Sequence, residues 1–165
     1  MFKVRMKSLT LERGRIGLIS DTHGLLRPQA VTMLKGSELI IHAGDIGKPE
    51  ILIELAKLAP VLVVRGNNDR EAWAKKIPDV LRLRINGIKL EVIHDVHDLA
   101  DKPLAAGFRA VISGHSHKPG VSTRDGVIYI NPGSAGPRRF KLPVAIAVLK
   151  LQHDKCNAKI VELAV

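Results

Sequence analysis

The feature that most constrains the fold is a repeated pairing of a short apolar run with a loop that starts in Asp, His or Asn. Segments with helical spacing, such as residues 49–58, separate the first of these runs. Strands that alternate with helices favour βαβ units around a parallel sheet, where ligand sites form outside the carboxyl ends of the strands. We therefore expect the polar loops to meet at one sheet edge. Their first polar residues, spaced 24, 22, 27 and 21 residues apart, are Asp21, Asp45, Asn67, His94 and His115.

Local patterns predict the individual helices and strands. Helices are expected at residues 28–35, 49–58 and 98–108, and proline in the first turn suits the first two. Asn86-Gly87 and Asp125-Gly126 have the composition of two-residue hairpin turns. The remaining apolar runs predict strands at residues 15–20, 39–42, 61–65, 80–85, 88–93, 109–113, 121–123, 127–130, 144–151 and 158–163.

The 165 residues have the length of one globular domain, and no linker, repeat or low-complexity tract divides them. We therefore expect a single domain over residues 1–165. Residues 2–7 alternate apolar with basic side chains, so the segment 1–14 is expected to be an N-terminal extension or an edge strand with a basic face. The alternative for this segment is an arm that contacts an acidic partner.

The composition excludes several classes of protein. Apolar residues make up 45% and charged residues 25% of the chain, which excludes wholesale disorder. The longest apolar run, residues 144–149, is far shorter than the roughly 20 residues that cross a bilayer. We therefore expect no membrane partner. The single cysteine, Cys156, and the absence of a signal-peptide pattern predict a cytoplasmic protein.

The strong positive charge indicates an anionic partner. Lys and Arg total 26 against 16 Asp and Glu, which gives a formal net charge of +10. Such a surplus attracts phosphate esters, nucleic acid or acidic lipid. Aromatic residues make up only 3% of the chain, a poor composition for stacking the bases of a single strand. Nucleic acid stays open as a partner, but charge alone does not identify it.

The side chains of the polar loops are typical of a metal site. His, Asp and Asn without Cys suit Mn, Fe, Zn, Ni or Mg rather than soft ions. The candidates are too numerous for one tetrahedral ion, whereas two ions about 3.5–4 Å apart would use them and form a clamp for attack on phosphorus. The seven candidates are Asp21, His23, Asp45, Asn67, His94, His115 and His117.

Each of these residues also has an ordinary structural interpretation, since Asp and Ser cap helices and Gly-Asn forms turns. Five such loops together favour metal binding instead. Asp69 is expected to orient a ligand or cap a helix, and His42 to be a hydrogen-bonded core histidine. Ser134 has no adjacent base that would make it a nucleophile. Arg138, Arg139 and Lys141 form either a solvated basic face or a contact to substrate phosphate.

Five motifs together resemble the calcineurin-like metallophosphoesterases, in particular the small bacterial and archaeal phosphodiesterases of that superfamily. The resemblance extends over residues 15 to 150 and implies an α/β fold, a βαβ-type sandwich of two sheets flanked by helices. The motifs that carry it are DTHG at 21–24, GD at 44–45, GNND at 66–69, GHSH at 114–117 and NPGS at 131–134.

The resemblance also implies a ligand set and a reaction. Asp21, His23 and His117 would hold one ion, Asp45 would bridge, and the second ion would be held by Asn67, His94 and His115. A hydroxide bridging two divalent ions, with manganese expected first and nickel, zinc, iron or magnesium as alternatives, would attack a phosphodiester. Catalytic roles fall on Asp45, Asn67, His94 and His115. Small relatives are often dimers or larger, which implies a homo-oligomer.

Two departures from the family pattern affect these expectations. Many members have GNH followed by Asp or Glu, with a histidine that assists the leaving group, whereas this chain has Asn68 there. Leaving-group protonation typically contributes ~10²–10⁴-fold, so slow turnover or acidic leaving groups are expected. The family also tends to read T-H-G-H where this chain has residues 93–97, IHDVH, so His97 is an alternative ligand to His94.

Two other classes of function compete with the enzyme. One is a non-catalytic protein-interaction scaffold of the same fold, which would have lost its metal ligands. The other is a basic nucleic-acid-binding module driven by the net charge, whose binding should weaken steeply with salt and survive chelation. The full set of His and Asp ligands favours the phosphodiesterase.

Overall fold

The computed structural model describes residues 4–99 and 107–165, which form two stacked β-sheets with two short helices. The strands are β1 (Met6–Leu9), β2 (Arg15–Ile19), β3 (Leu39–His42), β4 (Val61–Val63), β5 (Val80–Ile85), β6 (Ile88–Ile93), β7 (Phe108–Ile112), β8 (Gly120–Arg124), β9 (Val127–Asn131), β10 (Ala145–Gln152) and β11 (Lys155–Glu162). The helices are α1 (Pro28–Leu34) and α2 (Pro49–Ala56), with single 3-10 turns at Ala72–Ala74 and Val96–Leu99.

The first sheet contains the predicted βαβ units. Its order is β11-β10-β2-β3-β4, and β2, β3 and β4 run parallel because α1 and α2 return the chain between them. Both helices start with proline at the first turn, as the sequence predicts. β10 pairs antiparallel with both β2 and β11.

The second sheet contains most of the later strands, so the expectation that all five polar loops share the edge of one sheet is wrong. Its order is β1-β5-β6-β7-β9-β8, with β6, β7 and β9 parallel and hairpins joining β5 to β6 and β8 to β9. Three polar loops follow β2, β3 and β4 of the first sheet, and two follow β6 and β7 of the second. The loops meet across the stack because both sets of strands end at the same side of it.

Apolar side chains from both sheets fill the space between them. The outer face of the first sheet packs on α1 and α2 through a separate cluster that includes Leu34, Ile40 and Leu55. These two layers make the α/β sandwich with flanking helices that the motifs imply. Among the fully buried side chains between the sheets are Ile16, Leu18, Ile41, Leu83, Leu90 and Ile112.

Residues 6–9 of the N-terminal segment form β1, which lies at the edge of the second sheet. β1 pairs parallel with β5 and begins at Met6, and residues 1–3 lie outside the described part. Leu9 packs against the core, while Lys7 is exposed. The Leu11 amide donates to Asn86 Oδ1 (2.8 Å), which joins this segment to the β5–β6 hairpin.

Several element ends differ from the sequence predictions. Both helices end one or two residues early, a usual spread for helix termini. Of the helix expected at 98–108, residues 100–106 lie outside the described part; residues 98 and 99 belong to a 3-10 turn, and Phe108 begins β7. Both predicted hairpin turns are confirmed. No helix among the described residues is long and apolar enough to cross a membrane.

Helix α1 lies so close to β2 that the strand has room for only glycine at position 17. A Cβ on Gly17 would lie 2.5 Å from Leu34 Cδ2 and 2.8 Å from Ser37 Oγ. Leu34 is fully buried and so has little freedom to move away. This close contact fixes the distance between α1 and the sheet.

We expect Gly17→Ala to destabilise the fold by about 1–3 kcal/mol, because the added methyl overpacks a filled site. Gly120→Ala is the matched control, since nothing lies within 4 Å of a Cβ there. Urea unfolding of both variants measures the difference. Equal stability of the two variants would contradict the proposed contact between α1 and β2.

Candidate metal centre

The polar loops are joined to one another by backbone hydrogen bonds at the end of the sheet stack. The Asp21 amide donates to Gly44 O (2.9 Å) and the His23 amide to Asp45 O (3.0 Å). In the second sheet, the Gly114 amide donates to His94 O (2.9 Å). Main-chain hydrogen bonds therefore fix the positions of these loops relative to one another.

Five of the seven candidate ligands have a left-handed backbone, which non-glycine residues rarely adopt. This conformation costs roughly 1–2 kcal/mol for each residue and persists only where the surroundings enforce it. Such residues cluster at functional sites, and here they carry the side chains predicted to bind metal. Their φ angles are +54° at Asp21, +44° at His23, +55° at Asp45, +69° at His115 and +61° at His117.

Three of the candidates form a first group of facing ligand atoms. His117 Nε2 lies 3.2 Å from Asp21 Oδ1, and His23 Nε2 lies 3.8 Å from the same oxygen. The two histidine Nε2 atoms are 3.4 Å apart. Aspartate oxygen and imidazole nitrogen in this arrangement are suited to a divalent ion such as Mn, Fe, Zn or Ni.

Asp21 is oriented so that one of its oxygens is left without a partner. Its Oδ2 accepts hydrogen bonds from Ser20 Oγ (2.6 Å) and the His115 amide (3.1 Å). Its Oδ1 is buried and has no hydrogen-bond partner among the described residues. A buried carboxylate oxygen without a donor is costly, and a bound cation would remove that cost. Gly114 permits this packing, because a Cβ there would lie 2.6 Å from Asp21 Oδ2.

A second group contains Asp45 and His94 beside Asp21. His94 Nε2 lies 3.4 Å from Asp45 Oδ2 and 4.0 Å from Asp21 Oδ1. His94 Nδ1 is 2.7 Å from Ala43 O, which fixes the proton on Nδ1 and leaves the Nε2 lone pair free in the neutral ring. Nε2 has no hydrogen-bond partner in the described part of the chain. This tautomer is the one that a metal ligand needs.

Asp45 lies between the two groups. Its Oδ2 is 3.7 Å from His23 Nε2 on one side and 3.4 Å from His94 Nε2 on the other. Burial disfavours the carboxylate, but His94 and the Asn68 amide hold the pKa of Asp45 well below its usual range. Burial likewise disfavours the imidazolium of His94, yet the Asp45 and Asp21 carboxylates raise the pKa of His94. The field at this point is strongly negative and favours cations.

Asn67 and His115 lie together at the outer rim of the cluster. Asn67 Oδ1 is 3.2 Å from His115 Nδ1, and the His115 ring meets the His94 ring edge-on at 5.3 Å. The His115 side chain is 42% exposed, whereas His94 is buried. The structure therefore brings all seven predicted residues into one cluster with an open side at Asn67 and His115.

His97 lies outside that cluster. Its side chain is 86% exposed, and its Nδ1 lies 2.9 Å from Asp95 Oδ1. Of the two alternatives that the sequence leaves open, His94 is the one placed beside Asp45.

Two residues that contact the candidate ligands were missed by the sequence analysis. Asn68 donates from its backbone amide to Asp45 Oδ1 (2.9 Å) and from its side-chain amide to Asp45 Oδ2 (3.0 Å). Asp95 Oδ2 lies 3.5 Å from His115 Nε2. The sequence shows Asn68 only as a replacement for a histidine, and no local pattern distinguishes Asp95 from an ordinary loop aspartate.

His42 is the hydrogen-bonded core histidine that the sequence predicts, whereas Asp69 binds loop amides and caps neither described helix. The Asp69 carboxylate accepts hydrogen bonds from the amides of Ile46 (3.0 Å), Gly47 (3.1 Å) and Gly66 (2.9 Å), which joins the loops after β3 and β4. His42 is fully buried; its Nδ1 accepts from the Gly44 amide (3.1 Å), so its Nε2 carries the proton that faces Thr22 Oγ1 (3.0 Å).

Ser134 also has a structural role. Its Oγ donates to Asp21 O (3.0 Å), so the hydroxyl supports the loop that carries Asp21. This contact agrees with the expectation that Ser134 is not a nucleophile.

A cavity of about 840 Å³ opens beside the exposed side of the cluster. Asn67, His94 and His115 form the wall that it shares with the candidate metal centre. Basic residues on another part of the wall are Arg65, Arg70 and Lys75. Arg65 is paired with Asp79 (2.9 Å), whereas Arg70 Nε donates to Asn67 O (3.0 Å).

The buried histidine gives a prediction for the pH dependence of stability. Burial lowers the pKa of His42 to about 4 from 6.5. Between these values the unfolded chain binds a proton that the folded chain does not, so stability falls as pH drops through this window, by up to about 3 kcal/mol. In metal-free protein, we expect His42→Gln, which keeps one donor and one acceptor, to lose less stability than the parent between pH 7 and pH 4.5. Urea unfolding at both pH values measures this, and parallel losses would contradict the assignment.

Comparisons with known proteins agree with this geometry. A family model described as the calcineurin-like phosphoesterase superfamily domain matches residues 15–154. A probable metallophosphoesterase from Methanothermobacter thermautotrophicus is 36% identical over 158 residues, which cover 88% of this chain and 91% of the relative.

Solved structures share the same fold. A structure described as a novel archaeal phosphodiesterase has a TM-score of 0.73 at 26% identity, covering 89% of this chain and 99% of the other. Vacuolar protein sorting 29 from Cryptosporidium parvum has a TM-score of 0.70 at 18% identity, covering 93% of this chain and 99% of the other, which shows likeness of fold alone. The family match and the identity to the methanogen protein show that the chain belongs to the calcineurin-like phosphoesterase superfamily.

Proposed function

We propose that this protein is a phosphodiesterase that works with two divalent cations, and that manganese is the expected metal. Its membership of a phosphoesterase family supports hydrolysis of phosphoesters as the reaction class. The choice of diesters rests on the resemblance to the small phosphodiesterases and on the likeness to an archaeal phosphodiesterase.

The observation that carries the proposal is the position of Asp45. One of its carboxylate oxygens lies within 4 Å of a histidine from each of two groups, His23 and His94. A carboxylate placed in this way can contact two cations at once, and a second aspartate, Asp21, supplies further negative charge beside it. This arrangement fits the proposed pair of ions better than a single one.

The resemblance to the family divides the residues into two sets. Asp21, His23 and His117 would hold one cation, Asn67, His94 and His115 would hold the other, and Asp45 would be shared. When bound, the cations would supply an activated water and neutralise charge on the phosphoryl oxygens. The protein contributes fixed directions: Ala43 O orients His94, the Ser20 hydroxyl orients Asp21, and both amides of Asn68 orient Asp45.

Asn68 also limits the range of leaving groups. A carboxamide is too weak an acid to protonate a departing alkoxide, and the backbone and side-chain amides of Asn68 each donate to Asp45. We therefore expect good turnover only for esters whose leaving groups are already acidic, such as nitrophenolate, or for esters that bring their own proton donor. The cavity beside Asn67 and His115 is the space in which the ester would lie.

The homo-oligomeric state, the cytoplasmic location and the organisation of residues 1–165 as a single domain stay predictions from the sequence.

Alanine variants of His94 and His97 test which of these two histidines is a metal ligand. We expect the parent protein to bind about two Mn²⁺ per chain and His94→Ala to lose at least one of them together with activity. The control His97→Ala should keep the metal and its kcat within about twofold, because an exposed side chain outside the cluster contributes little. Elemental analysis and hydrolysis of bis(p-nitrophenyl) phosphate measure both effects. Metal loss in His97→Ala alone would reverse the assignment.

Asp45→Ala tests the shared carboxylate. We expect this variant to lose most of its bound metal and activity, since it removes the group common to both proposed sites. Asp125→Ala, in the exposed β8–β9 turn, is the control for loss of one negative charge. An Asp45→Ala variant that kept both ions and activity would refute the shared position.

Chelation separates the enzyme from its rivals. We expect EDTA to abolish hydrolysis and Mn²⁺ to restore it. Nucleic-acid binding that survives EDTA and weakens steeply with salt, without any hydrolysis, would favour the basic binding module. Absence of hydrolysis with every supplied metal, together with tight binding to a partner protein, would favour the scaffold.

A further inference from the structure

One aromatic side chain is exposed where nothing in the described part of the chain explains it. The side chain of Phe140 is 92% exposed, against 59% for Ile53, the next most exposed large apolar residue described. Its φ is +51°, a strained conformation for an aromatic residue. A residue that gains no burial and adopts an unfavourable backbone conformation is a candidate for function rather than for stability.

The residues around Phe140 are basic. Arg138, Arg139 and Lys141 are all exposed. Arg138 Nη2 donates to Val165 O (3.5 Å), so it anchors the loop to the end of the chain. None of the ion pairs among the described residues involves Arg139 or Lys141. We call residues 137–141 the 137–141 loop; it presents a flat apolar ring beside two uncompensated cations.

The base of this loop is attached to the loop that carries Asp21 and His23. The Ala135 amide donates to Ser20 O (3.0 Å), and Arg27 Nε donates to Gly136 O (3.2 Å). A Cβ on Gly136 would lie 2.3 Å from Thr22 O, which shows how closely the two main chains approach. On the returning side, the Ala145 amide donates to Ser134 O (3.0 Å) and closes the loop.

Chain length limits how far Phe140 can lie from the candidate metal centre. Phe140 is the fourth residue after Gly136, so the two Cα atoms are at most about 14 Å apart. Gly136 itself packs on the residue that precedes His23. The 137–141 loop therefore begins beside the candidate metal centre, and Phe140 lies within one short loop of it.

An exposed ring with neighbouring cations is complementary to a base and its phosphates. Every nucleobase has a face that stacks on an aromatic ring, and Arg or Lys binds the phosphate next to it. The other described aromatics are already covered: Phe108 is buried, Trp73 is half-buried, and the Arg124 guanidinium lies 4.3 Å from the Tyr129 ring centre. Among the described Phe, Trp and Tyr side chains, Phe140 is therefore the one with a free ring face, and that face can stack on one base.

We propose that the 137–141 loop binds the nucleobase of the substrate, with Phe140 stacking on the base and Arg139 and Lys141 contacting its phosphates. The substrate class is then a nucleotide phosphodiester with one recognised base, rather than a base-free diester or a long single strand. This proposal rests on the phosphodiesterase function proposed above and adds the recognised group to it.

Fluorescence tests stacking without any need for catalysis. In a Phe140→Trp, Trp73→Phe protein the emission comes from position 140 alone, since Trp73 is the one native tryptophan. We expect adenosine 5′-monophosphate to quench it saturably in metal-free protein and ribose 5-phosphate, which carries the same phosphate without the base, to leave it unchanged. Equal quenching by both, or by neither, overturns the stacking role.

Kinetics test whether stacking selects the substrate. Thymidine 5′-(p-nitrophenyl phosphate) and methyl p-nitrophenyl phosphate share a leaving group and a charge, but the first carries a nucleoside, sugar and base, where the second carries a methyl group. We expect Phe140→Ala to lower the ratio of their kcat/KM values roughly tenfold, Phe140→Trp to preserve it, and the control Ile53→Ala to leave it unchanged. A Phe140→Ala protein with the parent ratio overturns the proposal.

The two experiments separate the failure of each proposal. If the parent protein hydrolyses neither ester with any metal, the phosphodiesterase function fails, and the fluorescence result still decides base stacking. If the parent hydrolyses both esters equally well and Phe140→Ala instead abolishes binding to vesicles of anionic lipid, the loop is a membrane contact and base recognition is overturned.

Discussion

The hydrogen bonds of Asp21 are the interactions on which the rest of the site depends. Its amide contacts the loop after β3, its Oδ2 contacts the amide of His115 after β7, and its carbonyl contacts the Ser134 hydroxyl after β9. One residue therefore joins loops from both sheets. Because these contacts occupy every polar atom of Asp21 except Oδ1, that oxygen is directed at the histidines. The same hydrogen bonds therefore orient the free carboxylate oxygen of Asp21 and join the loops of the two sheets.

Much of this arrangement could be predicted from the sequence, because it depends on local patterns. Apolar runs of strand length, proline at helix starts and Asn-Gly at a turn gave β2, β3, the two helices and the hairpins close to their observed positions. The loops that carry Asp21 and Asp45 follow strands directly, so their convergence could be inferred from the way parallel strands share an edge. The seven candidate ligands were identified on this basis together with the family motifs.

The remaining features depend on contacts between distant segments, which no local pattern encodes. The family resemblance implies two sheets, but the alternation of residues 80–85 predicts a strand without saying which sheet it joins, so the strand order of the second sheet appeared only in the structure. Asn68 and Asp95 have ordinary loop sequences, and their contacts to Asp45 and His115 follow from how the loops pack. The choice between His94 and His97 was likewise decided by position: both follow β6 within a few residues, and only one faces the cluster.

The left-handed backbone of the five candidate ligands has a consequence for the metal-free protein. Ligand oxygens of Asp21 and Asp45 lie within 4.8 Å of each other, so without cations this end of the sheets combines conformational strain with repulsion between like charges. Local opening of these loops would relieve both. Bound metal ions would then stabilise these loops as well as take part in the reaction. In metal-free protein, proteases would cleave these loops first.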